Sequence, residues 1–224
     1  MKNIFVVGNW KCNPVDSTEA KRIFEAILKG ASKKKGMEVV LCPPFVFLSS
    51  LKSKGIKLGA QNCFWEERGA YTGEISVSML KDAGCQYVIV GHSERRKYQL
   101  ENDLEINKKI KAVLNQGLTA ILCVEKESQI KDDLKGISDF SRLIVAFEPV
   151  SAIGTGKAYD VESARKTNLL IRERLKEKIP VLYGGSVNLN NAKDYIDKAG
   201  YDGLLIGGVS LKPDEFNKIT KILI

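Results

Sequence analysis

A closed (β/α)8 barrel is the fold class that the sequence predicts, and three observations support this. Short apolar runs recur along the 224 residues, helical patterns fill the gaps between them, and barrels of about this size form single domains. Most runs are continuously apolar, which is typical of strands buried on both faces of a parallel sheet. The predicted strands are Ile4–Val7, Val39–Leu41, Ile56–Ala60, Tyr87–Val90, Thr119–Val124, Leu143–Phe147, Val181–Tyr183 and Leu204–Ile206.

Amphipathic stretches predict the helices between these strands. The first helix is capped by Asp16 or Ser17 and ends at Gly30, because apolar residues recur at helical spacing between a capping side chain and a glycine. A second helix starts near Asp103, and a third spans 160–178.

The structural rival of a barrel is an open, doubly wound sheet. Such a sheet would place a G-x-G-x-x-G fingerprint after an early strand, and no early strand is followed by one. Because no linker or low-complexity segment divides the chain, we expect one barrel domain over residues 1–224.

The composition is that of a globular protein in a reducing compartment. Apolar residues make up 44% of the chain and charged residues 28%, a balance that disordered chains lack. The five cysteines form no C-x-x-C pair and His92 is the only histidine, so we expect neither disulfides nor a metal site. The apolar runs are too short for a signal peptide or a membrane span, which favours a cytoplasmic protein.

The formal net charge of +8 is compatible with an anionic partner such as nucleic acid, a membrane surface or a small anion. The positive residues are scattered, however, and their one tight cluster, Lys33–Lys35, is typical of a helix C-terminus. We interpret the charge as a solvated surface, and expect no nucleic-acid or membrane binding.

Polar residues gather where the predicted strands end. In a barrel, the carboxyl ends of the strands form one face, and the catalytic loops lie there. The residues that follow the strands are Asn9, Trp10 and Lys11 after the first, Gln61 and Asn62 after the third, Gly91–Arg95 after the fourth, Glu148 and Pro149 after the sixth, Gly184–Ser186 after the seventh, and Gly207 and Gly208 after the eighth. An amide, an amine, an imidazole and a carboxylate are therefore expected at one mouth.

Two titratable residues at this mouth indicate acid–base chemistry. His92 opens a short helix, whose N-terminus disfavours imidazolium and leaves a neutral ring that can donate to a carbonyl oxygen. Glu148 follows a buried strand, so its carboxylate is either paired, for example with a lysine, or functional. The rim that it shares with His92 and Lys11 favours the functional interpretation.

Three glycine-rich turns, at 154–156, 184–186 and 207–208, indicate a phosphate site. Two of them follow the seventh and eighth strands, where barrels bind phosphate through backbone N–H groups. Ser186 lacks the G-x-S-x-G context of a hydrolase nucleophile, and we interpret Cys123 as a packing residue. The expected ligand is a small phosphorylated molecule.

From Asn9 to Leu211 these motifs resemble the triosephosphate isomerase family. The matching segments are N-W-K at 9–11, the third loop from 61 to 74, G-H-S-E-R-R at 91–96, the segments 146–150 and 152–157, and the turns 183–187 and 206–211. The resemblance implies a TIM barrel without a cofactor. It also implies interconversion of dihydroxyacetone phosphate and D-glyceraldehyde 3-phosphate through an enediolate, in glycolysis and gluconeogenesis.

The resemblance implies a role for each matching residue. Glu148 would be the base, neutral His92 the electrophile, and Lys11 the electrostatic stabiliser of the enediolate and the phosphate. Asn9 would help to position the substrate, and Glu94 would be a partner of Lys11. The backbone N–H groups that bind phosphate would come from Gly154, Ser186, Gly207 and Gly208.

The third loop of the family implies a homodimer, and a tetramer stays open. Thr72 would approach the active site of the partner subunit, and Glu74 would pair with Arg95 of the partner subunit.

The sequence departs from the family pattern at three places. Ser151 stands where the family usually has tryptophan at the first hinge of a lid over 149–157, which suggests weaker anchoring of the closed lid. Cys123-Val124-Glu125 lacks the glycine that usually precedes the glutamate. The segments 123–148 and 157–183 are shorter than usual, which predicts shortened outer helices five and six.

Two other functions stay open at this point. One is a different sugar-phosphate barrel enzyme, such as an epimerase or a lyase, which the glycine turns alone do not exclude. The other is a non-catalytic, degenerate barrel attracted to nucleic acid by its charge, which Ser151 and the trimmed helices would suit.

Overall fold

The structure, a computed structural model, describes residues 3–31, 36–52, 55–149, 159–175 and 178–223. The strands in these ranges are β1 Ile4–Asn9, β2 Met37–Cys42, β3 Lys57–Ala60, β4 Cys85–Val90, β5 Thr119–Val124, β6 Leu143–Phe147, β7 Val181–Tyr183 and β8 Gly203–Ile206. Each strand pairs in parallel with the next, and β8 pairs with β1. These eight strands therefore close a barrel, and the predicted fold class is confirmed.

The predicted strand positions differ from the observed ones by at most two residues at either end. β5, β6 and β7 have the predicted bounds, whereas β1 continues past Val7 to Asn9. Gly8 and Asn9 belong to the ladder because they pair with Leu41 and Cys42 of β2. A criterion based on apolar runs misses such polar or glycine ends.

Helices lie between the strands on the outside of the barrel. They are α1 Ser17–Ala31, α2 Phe45–Leu48, α3 Val77–Asp82, α4 Ser93–Tyr98, α5 Asp103–Asn115, α6 Ile130–Asp133, α7 Val161–Leu175, α8 Ala192–Asp197 and α9 Pro213–Ile222, with 3-10 turns at Glu127–Gln129 and Gly208–Leu211. The helix predicted over 160–178 is α7, and it ends at Leu175, before residues that lie outside the described ranges.

The ends of α1 illustrate how the sequence directs a helix. Asp16 is the cap, because its Oδ1 accepts the Glu19 N–H at 2.9 Å. The helix continues through Gly30 to Ala31, so Gly30 is not the end that the sequence predicted. A side chain at Gly30 would collide with Asn217 of α9, so this glycine allows two helices to pack closely.

Of the two outer helices predicted to be short, the one after β5 is short in the structure. Between β5 and β6, the helical residues are the turn Glu127–Gln129 and the four residues of α6. The helix that follows β6, α7, has 15 residues, as many as α1. It is therefore not short beside the other described helices.

Apolar side chains fill the barrel interior. The inner cluster consists of Val7, Val40, Cys42, Tyr87, Ile89, Ile121, Cys123, Ile144, Ala146, Leu182 and Leu205. A larger cluster lies between the strands and the helices. The interior is thus a packed core, and polar chemistry is confined to the ends of the strands.

Across the described ranges, every helix falls short of the length and apolarity that a membrane span requires.

Candidate active site

The carboxyl ends of the strands open into a cavity of about 560 Å³. The predicted site residues that line this cavity are Asn9, Lys11, His92, Glu148, Ser186, Gly207 and Gly208. Glu94 and Arg95 line a second cavity, which shares Asn9, Lys11 and His92 with the first. The barrel thus brings together residues from the ends of β1, β4, β6, β7 and β8 that lie far apart in the sequence.

Glu148 and His92 are in direct contact at this mouth. Nε2 of His92 lies 3.0 Å from Oε1 of Glu148, and the backbone N–H of Ser93 donates to Oε2 of Glu148 at 2.8 Å. The main chain of Glu148 is held as well, because its N–H donates to the Val124 carbonyl at 2.8 Å. Both side chains are buried, and only 2% of Glu148 is exposed.

The pKa of Glu148 lies below its ordinary value. Burial raises this pKa, but the charge and hydrogen bond of His92 and the N–H of Ser93 outweigh burial. The carboxylate is therefore ionised at neutral pH, as a general base must be.

His92 occupies the N-cap position of α4. Its Nδ1 accepts the backbone N–H of Glu94 at 3.2 Å, so Nδ1 carries no proton in this arrangement. The proton of a neutral ring then lies on Nε2, which faces Glu148. This hydrogen-bond pattern fits the neutral imidazole that the sequence predicts.

The pKa of His92 is nevertheless raised. Burial lowers it, but the charge and hydrogen bond of Glu148, together with the charge of Glu94, raise it by more. The prediction from the sequence considered the helix N-terminus alone and missed this opposing effect. Among the groups that raise the pKa of the ring, the carboxylate of Glu148 has the largest effect.

The side chain of Lys11 is held by an ion pair, and its backbone is held by two hydrogen bonds with neighbouring side chains. Its Nζ lies 2.5 Å from Oε1 of Glu94, the partner that the sequence predicts. Its N–H donates to Oδ1 of Asn9 at 2.9 Å, and its carbonyl accepts from Nε2 of Gln61 at 2.9 Å. These bonds support a φ of 54°, a left-handed conformation that is uncommon outside glycine.

The glycine turns after β7 and β8 line the first cavity, together with Lys11. Gly207 lies close to Lys11, since a Cβ at this position would be 3.3 Å from Cε of Lys11. The backbone of this turn can therefore approach a ligand that also contacts the amine. Gly154, which the sequence assigns to the same phosphate site, lies outside the described residues, as does Ser151.

The residues assigned to the dimer loop lie on or near the second cavity. Glu74 and Arg95 both line it, and Thr72 is exposed. Nε of Arg95 donates to Oε1 of Glu101 at 2.5 Å within the same chain. This internal partner of Arg95 was not predicted from the sequence.

Two functional contacts were missed from the sequence. Ser93 was noted only as one of the residues that follow the fourth strand, whereas its backbone N–H holds the carboxylate of Glu148. Gln61 was noted at a strand end without a role, although it supports the backbone of Lys11. The position of Ser93 after a helix-capping histidine was the available signal, because N-terminal N–H groups of helices attract anions.

Cys123 is fully buried in the inner cluster, and burial raises the pKa of its thiol well above the ordinary value. A thiol that stays protonated in this way agrees with the packing interpretation.

Comparison with known proteins identifies the family of the chain. The family model described as "Triosephosphate isomerase" matches residues 4–223. The chain belongs to the triosephosphate isomerase family. The match covers every strand of the barrel and every described residue that the sequence assigns to the site.

Relatives of this family match along nearly their whole length. Triosephosphate isomerase of Geobacter metallireducens is 40% identical, with 98% of each chain covered. That of Aquifex aeolicus is 42% identical over 96% of this chain and 97% of its own, and that of Trichodesmium erythraeum is 43% identical over 98% and 99%. The alignment with the Geobacter protein spans 248 positions against the 224 residues here, so that family member has residues that this chain lacks.

Proposed function

We propose that this protein interconverts dihydroxyacetone phosphate and D-glyceraldehyde 3-phosphate through an enediolate, as a step of glycolysis and gluconeogenesis. The observation that carries the proposal is the buried contact between Glu148 and His92, at a mouth lined by Lys11 and by glycine turns. The names of its relatives support the same reaction.

Glu148 acts as the base in this proposal. It takes a proton from the carbon next to the substrate carbonyl and returns it to the neighbouring carbon. Its lowered pKa supports this role, because the group is ionised before substrate arrives. To reach a substrate carbon, the carboxylate of Glu148 must break its contacts with Ser93 and His92 before it takes the substrate proton.

His92 acts as the electrophile. Its Nε2–H donates to the substrate oxygens and stabilises the charge that develops on them. When Glu148 has taken the proton, its carboxyl group is neutral, so the largest effect that raises the pKa of His92 disappears and only the smaller effect of Glu94 remains. Burial then favours a neutral ring during the chemical step.

Lys11 stabilises the enediolate and the phosphate dianion, and Asn9 helps to position the substrate. Glu94 holds the amine of Lys11 in place at 2.5 Å. Backbone N–H groups at Ser186, Gly207 and Gly208, together with Gly154, bind the phosphate, since glycine lets the backbone approach phosphate oxygens closely.

A lid over 149–157 excludes water in this proposal, because an exposed enediolate is open to misprotonation and to loss of phosphate. The reaction uses no cofactor or metal. The protein is proposed to act in the cytoplasm as one domain over 1–224, and as a homodimer in which Thr72 and Glu74 contact the partner subunit.

A coupled isomerase assay on the purified protein tests the proposal. We expect turnover of both triose phosphates and none of pentose phosphates. Turnover of a pentose phosphate alone would indicate another sugar-phosphate barrel enzyme. Salt-sensitive binding of nucleic acid without isomerase activity would instead indicate a non-catalytic barrel.

A further inference from the structure

Arg96 ties together the backbone that carries the site residues, although it does not line the mouth cavity. Its Nε donates to the Gly91 carbonyl at 2.9 Å, and its Nη2 donates to the Cys123 carbonyl at 3.2 Å. Its Nη1 and Nη2 also lie 2.6 Å from carboxylates of Asp103 and Asp133. Only 9% of the side chain is exposed.

The first carbonyl belongs to the residue that precedes His92. Gly91 has a φ of 72°, in the left-handed region, and a Cβ there would lie 3.1 Å from Nη2 of Arg96. The guanidinium therefore packs against the turn from which His92 enters the mouth. A change in this contact would change the direction in which the imidazole points.

The second carbonyl, that of Cys123, belongs to the residue before the one that binds the backbone of Glu148. Cys123 precedes Val124, and the Val124 carbonyl accepts the N–H of Glu148 at 2.8 Å. Arg96 thus holds the end of β5, and the end of β5 holds the backbone of Glu148. One side chain in this way fixes the main chain on both sides of the contact between His92 and Glu148.

The two carboxylates fix the guanidinium itself. Asp103 begins α5, and Asp133 ends α6 and is completely buried. Burial of a carboxylate is costly without such a partner. The short element between β5 and β6 thus supplies one of the two carboxylates that hold Arg96.

We propose that Arg96 is a positioning residue, which sets the relative placement of His92 and Glu148 by holding the ends of β4 and β5. Its consequence for catalysis rests on the proposed function, whereas its consequence for the geometry of His92 does not. Lysine cannot replace it, because a single ammonium lacks the planar fork that reaches two carbonyls and two carboxylates.

The test compares Arg96→Lys with the control Arg172→Lys. Arg172 makes a similar set of bonds, to Asn168 at 3.0 Å, the Gly200 carbonyl at 3.2 Å and Asp202 at 2.6 Å. None of these partners adjoins the mouth. Because His92 is the only histidine, its ¹⁵N resonances report the imidazole environment without assignment by mutation.

We expect Arg96→Lys to lower kcat about tenfold or more with little change in KM, and to shift the ¹⁵N resonances of His92. Arg172→Lys should lower the melting temperature while leaving kcat and these resonances unchanged. The proposal would be rejected if both variants lost stability while kcat and the ¹⁵N resonances of His92 stayed unchanged in both.

A second variant covers the case in which Arg96→Lys does not fold. Asp133→Asn removes one carboxylate partner but leaves both carbonyl contacts, so we expect a smaller shift of the His92 resonances in the same direction as in any folded Arg96 variant. Unchanged resonances in Asp133→Asn would count against the proposal. Absence of isomerase activity in the unmodified protein would contradict the proposed function alone, because the resonances of His92 would still test the role of Arg96.

Discussion

The backbone N–H of Ser93 donates to Oε2 of Glu148 at 2.8 Å, while Oε1 of the same carboxylate lies 3.0 Å from the ring of His92. Both oxygens of the proposed base are therefore occupied by two consecutive residues at the start of α4. This arrangement keeps a fully buried carboxylate ionised, since hydrogen bonds and charge outweigh the cost of its burial.

Replacing Glu148 by Asp should lower kcat by about a hundredfold, because the shorter side chain withdraws the carboxylate by roughly 1 Å from the reacting carbon. KM should change little, since the phosphate contacts lie on other residues. Steady-state kinetics in both directions would measure this. Glu162→Asp, at an exposed residue of α7, serves as the control, and kcat of Glu148→Asp close to that of the control would remove Glu148 from its role.

Replacing Glu148 by Gln should lower the pKa of His92. The carboxylate of Glu148 raises this pKa more than the charge of Glu94 does, and burial is the largest effect that lowers it, so loss of the negative charge leaves burial dominant. Titration of the single histidine by NMR would measure both values. A pKa that is unchanged or higher in the variant would show that Glu148 does not determine the charge of the ring.

The unfolding free energy should contain a contribution from Asp133 that falls as the pH rises. Burial raises the pKa of this carboxyl from 3.8 to about 7, despite the neighbouring Arg96. Between these two values the folded protein binds more protons than the unfolded chain, so stability is greatest below the lower value and decreases up to the higher one.

The measurement for Asp133 is a difference between two proteins, which cancels other titrating groups. Urea unfolding of the unmodified protein and of Asp133→Asn should show the unmodified protein losing stability relative to the variant between about pH 4 and 7, by up to about 4 kcal/mol. A difference that is constant over this range, or that grows with pH, would contradict the expected shift.

The barrel and the location of its mouth could be predicted from the sequence because both follow from local patterns. Strands buried on two faces give continuous apolar runs, and the residues after them must lie on one face. The end of α1 was misplaced at Gly30 because that glycine serves packing against Asn217, a residue almost two hundred positions away.

Which residues lie at the site could be predicted from the sequence, whereas most of the hydrogen bonds between them could not. The contact between Lys11 and Glu94 joins two recognisable motifs, whereas the bonds of Ser93, Gln61 and Arg96 to main-chain groups or to Glu148 depend on the closed barrel. The effect of Glu148 on the pKa of His92 was missed for the same reason, because Glu148 is 56 residues away in the sequence and 3.0 Å away in space.

The pair of Arg172 and Asp202 should contribute to stability and not to catalysis. Oδ2 of Asp202 accepts from Nη2 of Arg172 at 2.6 Å and from the backbone N–H of Val181 at 2.8 Å, and the side chain is 7% exposed. Asp202→Ala would leave a backbone donor and a guanidinium without this acceptor, at a cost of about 3 kcal/mol.

Asp197→Ala is the matched control, because Asp197 pairs with Lys193 at 2.9 Å with both side chains more than half exposed. Such exposed pairs contribute about 0–1 kcal/mol. Thermal unfolding should therefore place Asp202→Ala several degrees below the control, while kcat is the same in both. Equal melting temperatures would show that the buried pair stabilises the barrel no more than an exposed one. A lower kcat in Asp202→Ala would mean that the amino ends of β7 and β8 influence the mouth at the opposite end of the barrel.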